Sequence, residues 1–202
     1  MDIRQLVPLA GERAALLPPG RAAKMKAFLR PDDSLRCLAG WLLMARFLGP
    51  RLEERLRYGR YGKPGLPGGP YFNLAHSGDY AVLGVSAAPL GVDIEQRRTE
   101  DDCLTLAARA LHPDELDCFR REPTARNFFD LWVLKESYMK LVGTGLMLEP
   151  NSFALLRDRQ GTRLPDRPEI RFCLYGDVLP GYSLAMCIKG KEAPRTVTQV
   201  SV

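Results

Sequence analysis

The sequence is poor in the residues that build soft-metal sites and covalently stapled scaffolds. Its 202 residues include five cysteines, Cys37, Cys103, Cys118, Cys173 and Cys187, scattered so that none pair at metal-ligand spacing. An odd, unframed set of thiols fits a reducing compartment and excludes a disulfide framework. With two histidines, His76 and His112, a zinc site is not expected either. Any metal bound here is expected to be a hard ion held by carboxylates.

Long apolar runs are also missing. The most apolar helical stretch, Cys37 to Ala45, is short and runs into Arg46, whereas a membrane span needs about 20 apolar residues. Asp2, Glu12 and Arg13 interrupt the first residues, and no small-residue cleavage site follows. That pattern speaks against a secretory signal. The chain is therefore expected to be cytoplasmic and off the membrane. Nor is there a long block of one charge: the densest basic stretch, Arg51 to Arg60, is broken by Glu53 and Glu54. The net charge of +5 fits an ordinary solvated surface or an anionic partner. Without an arginine-rich tail or interleaved stacking aromatics, nucleic acid is not the expected partner.

What is present is an ordinary globular composition, 46% hydrophobic and 26% charged, with enough apolar material for a core. Arg21 to Arg30 reads as a short amphipathic helix stopped by Pro31. Asp32, Asp33 and Ser34 can cap a second helix from Leu35 to Leu48, which Gly49-Pro50 ends. Gly62 to Pro70 is a glycine- and proline-rich loop of fixed shape. Tyr71 to Leu74, Tyr80 to Val85 and Gly91 to Glu95 read as antiparallel strands joined by tight connections. After Arg97-Arg98 the pattern turns helical: Asp101 to Leu111, Pro113 to Arg121, and a longer helix from Ala125 to Val142, capped by Thr124 and ended by Gly143. Strands return at Ser152 to Leu156, Ile170 to Leu174 and Tyr182 to Ile188. Two successive α+β halves result, divided near Arg97 to Asp101.

Three constellations could carry chemistry. In Gly91-Val92-Asp93-Ile94-Glu95 the alternation of a strand puts Asp93 and Glu95 on one face and Val92 and Ile94 on the other. Two adjacent carboxylates repel unless a cation lies between them; the plainer alternative is one solvated strand face. In Trp132-Val133-Leu134-Lys135-Glu136-Ser137-Tyr138-Met139-Lys140 the residues Trp132, Glu136 and Lys140 fall four apart on one helical stripe. The plainer alternative there is a surface Glu–Lys pair. In Tyr71-Phe72-Asn73-Leu74-Ala75-His76-Ser77-Gly78 a histidine at a strand end can offer N–H donors to an anion, or simply satisfy a turn carbonyl. Just upstream, Tyr61-Gly62-Lys63-Pro64 sets a lysine in a rigid loop, a suitable point charge for phosphate.

Taken together and in order, these pieces resemble the phosphopantetheinyl transferases, in particular the larger monomeric branch typified by the surfactin-synthetase activator. The resemblance runs from Arg21 to Phe153, with G-V-D-I-E and W-V-L-K-E-S-Y-M-K as its most specific part. It implies an α+β fold of two similar α/β halves with pseudo-twofold symmetry, each an antiparallel sheet packed with helices. Residues 1–97 would carry phosphate and nucleotide binding and the first two metal acids. Residues 98–202 would carry the third acid and a helix facing the carrier.

The implied activity is Mg-dependent transfer of the 4′-phosphopantetheine group of coenzyme A to a serine of an apo acyl- or peptidyl-carrier protein. Adenosine 3′,5′-bisphosphate would be released. Asp93, Glu95 and Glu136 match the family's metal-binding acids. Lys140 matches a lysine on the pyrophosphate, and Glu136 is the candidate base. Lys63, His76, Lys24 and Arg36 match residues holding coenzyme A phosphates, with Arg21 a weaker match. A monomer is implied because both halves lie in one chain. Two departures stand out: Ala75 where the family has serine, and Thr144 where a basic residue is common between the two glycines. A relative that grips carrier or nucleotide without transfer is the alternative that Ala75 supports. The pathway served, whether fatty acid, polyketide or nonribosomal peptide, is not written in these motifs.

Overall fold

The computed structural model describes residues 1–159, 161–190, 194 and 196–201, with backbone alone at 100–102 and 146. After a 3-10 stretch (Ile3–Leu9) come helices α1 (Ala10–Ala14), α2 (Pro19–Lys26), α3 (Pro31–Leu48) and α4 (Leu52–Arg55). Strands β1 (Arg57–Tyr58), β2 (Pro64–Gly65), β3 (Tyr71–Ser77), β4 (Tyr80–Ser86) and β5 (Leu90–Gln96) follow. Helices α5 (Glu100–Ala110), α6 (Pro113–Phe119) and α7 (Ala125–Val142) precede β6 (Leu156–Asp158), β7 (Gly161–Arg163), β8 (Ile170–Leu174) and β9 (Tyr182–Lys189). All the ladders among the described residues are antiparallel. The α+β class with helices packed on antiparallel sheets is as expected.

Local chemistry accounts for most boundaries. Thr124 caps α7, its side-chain oxygen accepting the Asn127 N–H at 3.1 Å, and Gly143 closes the helix at a φ of 79°. The left-handed conformation at that position costs glycine little. Pro31, expected only as a stop, is the first residue of α3. Its missing N–H is one the first turn leaves unpaired anyway, so proline begins a helix as readily as it ends one. The β3–β4 hairpin turns through Gly78 and Asp79, with Ser77 facing Tyr80 and a φ of 51° at Gly78. The segment expected as a strand at Ser152 to Leu156 begins as a 3-10 turn (Pro150–Ser152), and β6 starts only at Leu156.

The largest difference from expectation concerns β5. It does not continue the β3–β4 meander; it pairs with β9, which pairs in turn with β8, in the order β5-β9-β8. Asp93 lies opposite Ala185, and Glu95 opposite Ser183. The turn at Pro89 carries the chain out of the hairpin. A strand with Leu90, Val92, Asp93 and Ile94 all buried needs cover on both faces, which a two-stranded ribbon cannot give.

The cover on one face is α7. A Cβ placed on Gly91 would lie 1.9 Å from the Ser137 carbonyl oxygen and 2.5 Å from the Leu141 nitrogen, both backbone atoms of α7. Only glycine allows the helix this close to the strand. Three apolar clusters complete the interior. One under α3 includes Ile3, Leu38, Trp41 and Phe72; one around α7 includes Phe128, Leu134 and Cys187. A third joins Ala75 of β3 with Val92 and Ile94 of β5 and Leu184 of β9.

The α7 cluster also holds a buried ion pair. Lys135, fully buried, donates to Glu115 Oε2 and to the Phe153 carbonyl, each at 2.6 Å. Glu115 also accepts N–H bonds from His112 at 2.9 Å and Leu155 at 2.7 Å. A buried pair satisfied this fully ties α6, α7 and the segment before β6 together, and losing either partner would strand the other.

The Gly91→Ala variant is expected to lose about 3 kcal/mol or more, the top of the range for overpacking. Backbone atoms, unlike a flexible side-chain tip, cannot swing aside. Thermal unfolding of the two proteins side by side measures it, and an unchanged Tm would contradict the close approach.

Candidate active site

The close packing of α7 on β5 determines what meets there. Gly91 faces α7, so by alternation Asp93 and Glu95 point the same way. On α7, Glu136 and Lys140 share a stripe one turn apart. The two motifs converge. Lys140 Nζ lies 2.5 Å from Asp93 Oδ1, a pair between helix and strand rather than the surface Glu–Lys pair that was the plainer alternative.

Asp93 is 3% exposed, and its second oxygen, Oδ2, is buried with no hydrogen-bond partner. Burial pushes its carboxyl pKa up to about 7; Lys140 works against that shift, and the charges of Glu95 and Glu136 add to it. Glu136, half-buried, is raised as well, first by burial, with Lys140 opposing and Glu95 contributing. The three carboxylates thus feel one another, and one buried lone-pair site is left open. Such a site suits a cation or a proton. Among the described residues, however, no three carboxylate, histidine or cysteine side chains are gathered into a ready metal cluster. The Lys140 ammonium holds one oxygen of Asp93, and the other is left open. The donor chemistry still fits magnesium, which commonly takes one or two carboxylates and completes its shell with water and substrate phosphate.

Glu95 Oε2 accepts a hydrogen bond from Ser77 Oγ at 2.7 Å. His76, next along β3, keeps part of its ring exposed, yet partial burial and the nearby Lys140 and Arg36 charges hold its pKa below the usual value. It is therefore neutral at pH 7, offering one N–H. Arg36 reaches from α3 to the hairpin turn, donating to the Gly78 carbonyl at 2.5 Å while pairing with Asp33 at 2.7 Å.

Of the other expected phosphate ligands, Lys63 and Arg21 are engaged with protein groups and Lys24 is exposed. Lys63 Nζ donates to the carbonyls of Lys140 at 2.5 Å, Leu141 at 3.0 Å and Leu90 at 3.4 Å. All three ammonium protons are thereby assigned, and the lysine caps the C-terminus of α7, where unpaired carbonyls and the helix dipole favour a cation. Arg21 bonds the Tyr58 hydroxyl and approaches Glu53 at 3.5 Å, over the Trp41 ring. Lys24 stays exposed in the last turn of α2. Ala75 is buried in the third apolar cluster, so the hydroxyl it lacks is missing from the interior.

Sequence reasoning did not single out Asp130. It is buried, accepts from Ser183 Oγ at 2.6 Å and lies 3.9 Å from Arg97, which bonds Ser183 as well. Its only sequence signal was an acid on the apolar stripe of an amphipathic helix.

A folded-state pKa near 7 against about 4 when unfolded means Asp93 costs stability above its unfolded pKa, progressively more up to pH 7. In metal-free protein, Asp93→Asn is expected to raise Tm at pH 8, with the gap shrinking on acidification and closing near the unfolded value. Scanning fluorimetry across pH reads the effect; a lower Tm for the variant at pH 8 would contradict it.

The family model for the 4'-phosphopantetheinyl transferase superfamily matches residues 89–187. That interval runs from the start of β5 into β9 and takes in all three acids and Lys140. Three relatives match over longer spans. The 4'-phosphopantetheinyl transferase Sfp of Bacillus subtilis strain 168 is 29% identical, covering 93% of this chain and 88% of its own length. The ffp enzyme of Bacillus subtilis is 30% identical over 88% of this chain and 84% of its length. A further 4'-phosphopantetheinyl transferase of that species is 33% identical over 81% and 78%. Among solved structures, the ACPS–CoA complex of Chronobacterium ammoniagenes is similar at 16% identity and a TM-score of 0.39, covering 50% of this chain and 96% of that one. With relatives at this identity along most of both lengths, and the site's acids inside the matched interval, the chain belongs to the 4'-phosphopantetheinyl transferase superfamily and is an enzyme of that class.

Proposed function

We propose that this enzyme moves the phosphopantetheine arm of coenzyme A onto a serine hydroxyl of an apo acyl- or peptidyl-carrier protein, releasing adenosine 3′,5′-bisphosphate, in a magnesium-dependent reaction. The observation that carries the metal part of this reading is the open Oδ2 of Asp93, buried beside two further carboxylates. Asp93, Glu95 and Glu136 would hold the magnesium ion, which when bound offsets the charge of the diphosphate.

The chain's own residues then take these parts. Lys140 is the cation placed to change partners, from Asp93 to a diphosphate oxygen. His76, neutral, offers an N–H to phosphate, and Arg36 adds positive charge at the same turn. The serine oxygen forms a bond to the phosphorus next to the pantetheine arm as the bond to the nucleotide oxygen breaks. The serine proton leaves to a base. Glu136, with its pKa raised by burial, is a stronger base than an exposed carboxylate and is assigned that role, directly or through a water.

We further assign phosphate and nucleotide binding to the segment 1–97 and carrier contact to 98–202, working as a cytoplasmic monomer. What supports this division is that β3, α3 and β5 supply His76, Arg36 and the first two acids, while α7 supplies Glu136 and Lys140. The basic balance of +5 suits an acidic carrier surface, through faster association rather than tighter contact.

Incubation with coenzyme A, magnesium and an apo carrier domain, followed by intact mass measurement of the carrier, is expected to show addition of one arm, abolished by a chelator. Asp93→Ala and Glu136→Ala are each expected to lower turnover by about 10²–10⁴-fold with the fold retained. Near-normal rates in both would overturn the assignment of the acids.

A further inference from the structure

Two polar residues of β3, Asn73 and Ser77, have no part in the chemistry above, yet both reach the acid strand. β3 lies beside β5, but the two strands belong to separate sheets. Side chains bridge the seam between them. Asn73, 7% exposed, accepts the Val92 N–H on Oδ1 at 2.8 Å. Ser77 Oγ accepts the Gln96 N–H at 3.0 Å and donates to Glu95 Oε2 at 2.7 Å.

The spacing is what gives these bonds meaning. Asn73, Ala75 and Ser77 fall on one face of β3 by strand alternation, and the buried Ala75 packs in the same cluster as Val92 and Ile94. The two anchored amides, Val92 and Gln96, are four residues apart, as are their anchors. They bracket Asp93 and Glu95. A strand held at both ends of a stretch this short cannot slide or twist between the anchors without breaking one of them. A serine hydroxyl has a single proton to donate, and Ser77 gives it to Glu95. It is therefore not free to serve as the phosphate donor that Ala75 fails to supply.

We propose that Asn73 and Ser77 are positioning residues for the acid pair. Asn73 fixes the backbone entering Asp93; Ser77 fixes the backbone leaving Glu95 and aims its carboxylate toward a divalent ion. The proposal rests on the reading of Asp93 and Glu95 as metal ligands. Groups that orient a metal's carboxylates typically change affinity by 10–100-fold when removed.

The test uses the full chain with Mn²⁺ as a spectroscopic stand-in for magnesium, titrated by electron paramagnetic resonance in the presence of coenzyme A. Ser77→Ala is expected to weaken Mn²⁺ binding about tenfold and to lower kcat at a fixed subsaturating metal concentration. Ser77→Thr, which keeps both the proton and the lone pair, is expected to restore affinity to within about twofold. Asn73→Ala is expected to weaken Mn²⁺ binding too; should it fail to fold, the two Ser77 variants decide the matter. A merely structural role would lower Tm while leaving the affinity of the folded protein at the wild-type value, and that result overturns the proposal. Absence of Mn²⁺ uptake by the wild-type protein with coenzyme A is a different failure: it overturns the metal reading itself, and this proposal falls with it.

Discussion

The fold turns on one close approach, that of helix α7 to strand β5 across the bare Cα of Gly91. Any side chain there would push the helix outward, and the acids would face an open gap. With the helix seated, Asp93 is sealed from water, its ammonium partner comes from α7, and one of its oxygens is left with nothing to bind. The chemistry of the site follows from that geometry. A carboxylate in water would neither hold its proton near neutrality nor need a cation so strongly.

The remaining polar ties keep this approach in place from several sides. Lys63 brings the glycine-rich loop onto the C-terminal carbonyls of α7, next to Lys140. Lys135 and Glu115 anchor the opposite flank of the helix to α6. Arg97, Ser183 and Asp130 join the exit of β5 to β9 and to the first half of α7. Of the basic side chains in these ties, Lys63 alone reads from sequence as a candidate for substrate charge. In the fold these side chains are partners of backbone carbonyls and buried acids. The loop lysine shows why: a cation five bonds from its backbone can reach a helix end as readily as a phosphate, and the sequence does not say which lies within reach.

Much of the architecture was legible because it is written in local chemistry. Thr124 and Gly143 bound α7, and the alternation Val92-Asp93-Ile94-Glu95 assigns its faces, because capping and strand periodicity depend on a few neighbouring residues. The meeting of the acid strand with the helix motif, seen in the contact of Lys140 with Asp93, was legible as a motif pair. What was hidden depends on distant partners. Nothing near Leu90–Gln96 signals that its neighbour is Tyr182–Lys189 rather than the preceding hairpin. The pairing of Lys140 with Asp93 on another element, rather than with its helix neighbour Glu136, likewise needs the third dimension. Asn73 looked like an ordinary polar strand residue, and Ser77 like a turn residue, until the seam they bridge was visible.

The pairing of β5 with β9 has a consequence for how the protein comes to exist. The strand that carries two of the site's acids is made early, but its hydrogen-bonding partner is translated only some ninety residues later. On the ribosome, the emerging acid strand must wait with its edge open until β9 arrives and with its Gly91–Asp93 face uncovered until α7 does. Long-range pairing of this kind slows folding and prolongs exposure to association with other nascent chains. The polar and charged character of Asp93 and Glu95, at odds with a buried position, guards that waiting strand against sticking to its neighbours.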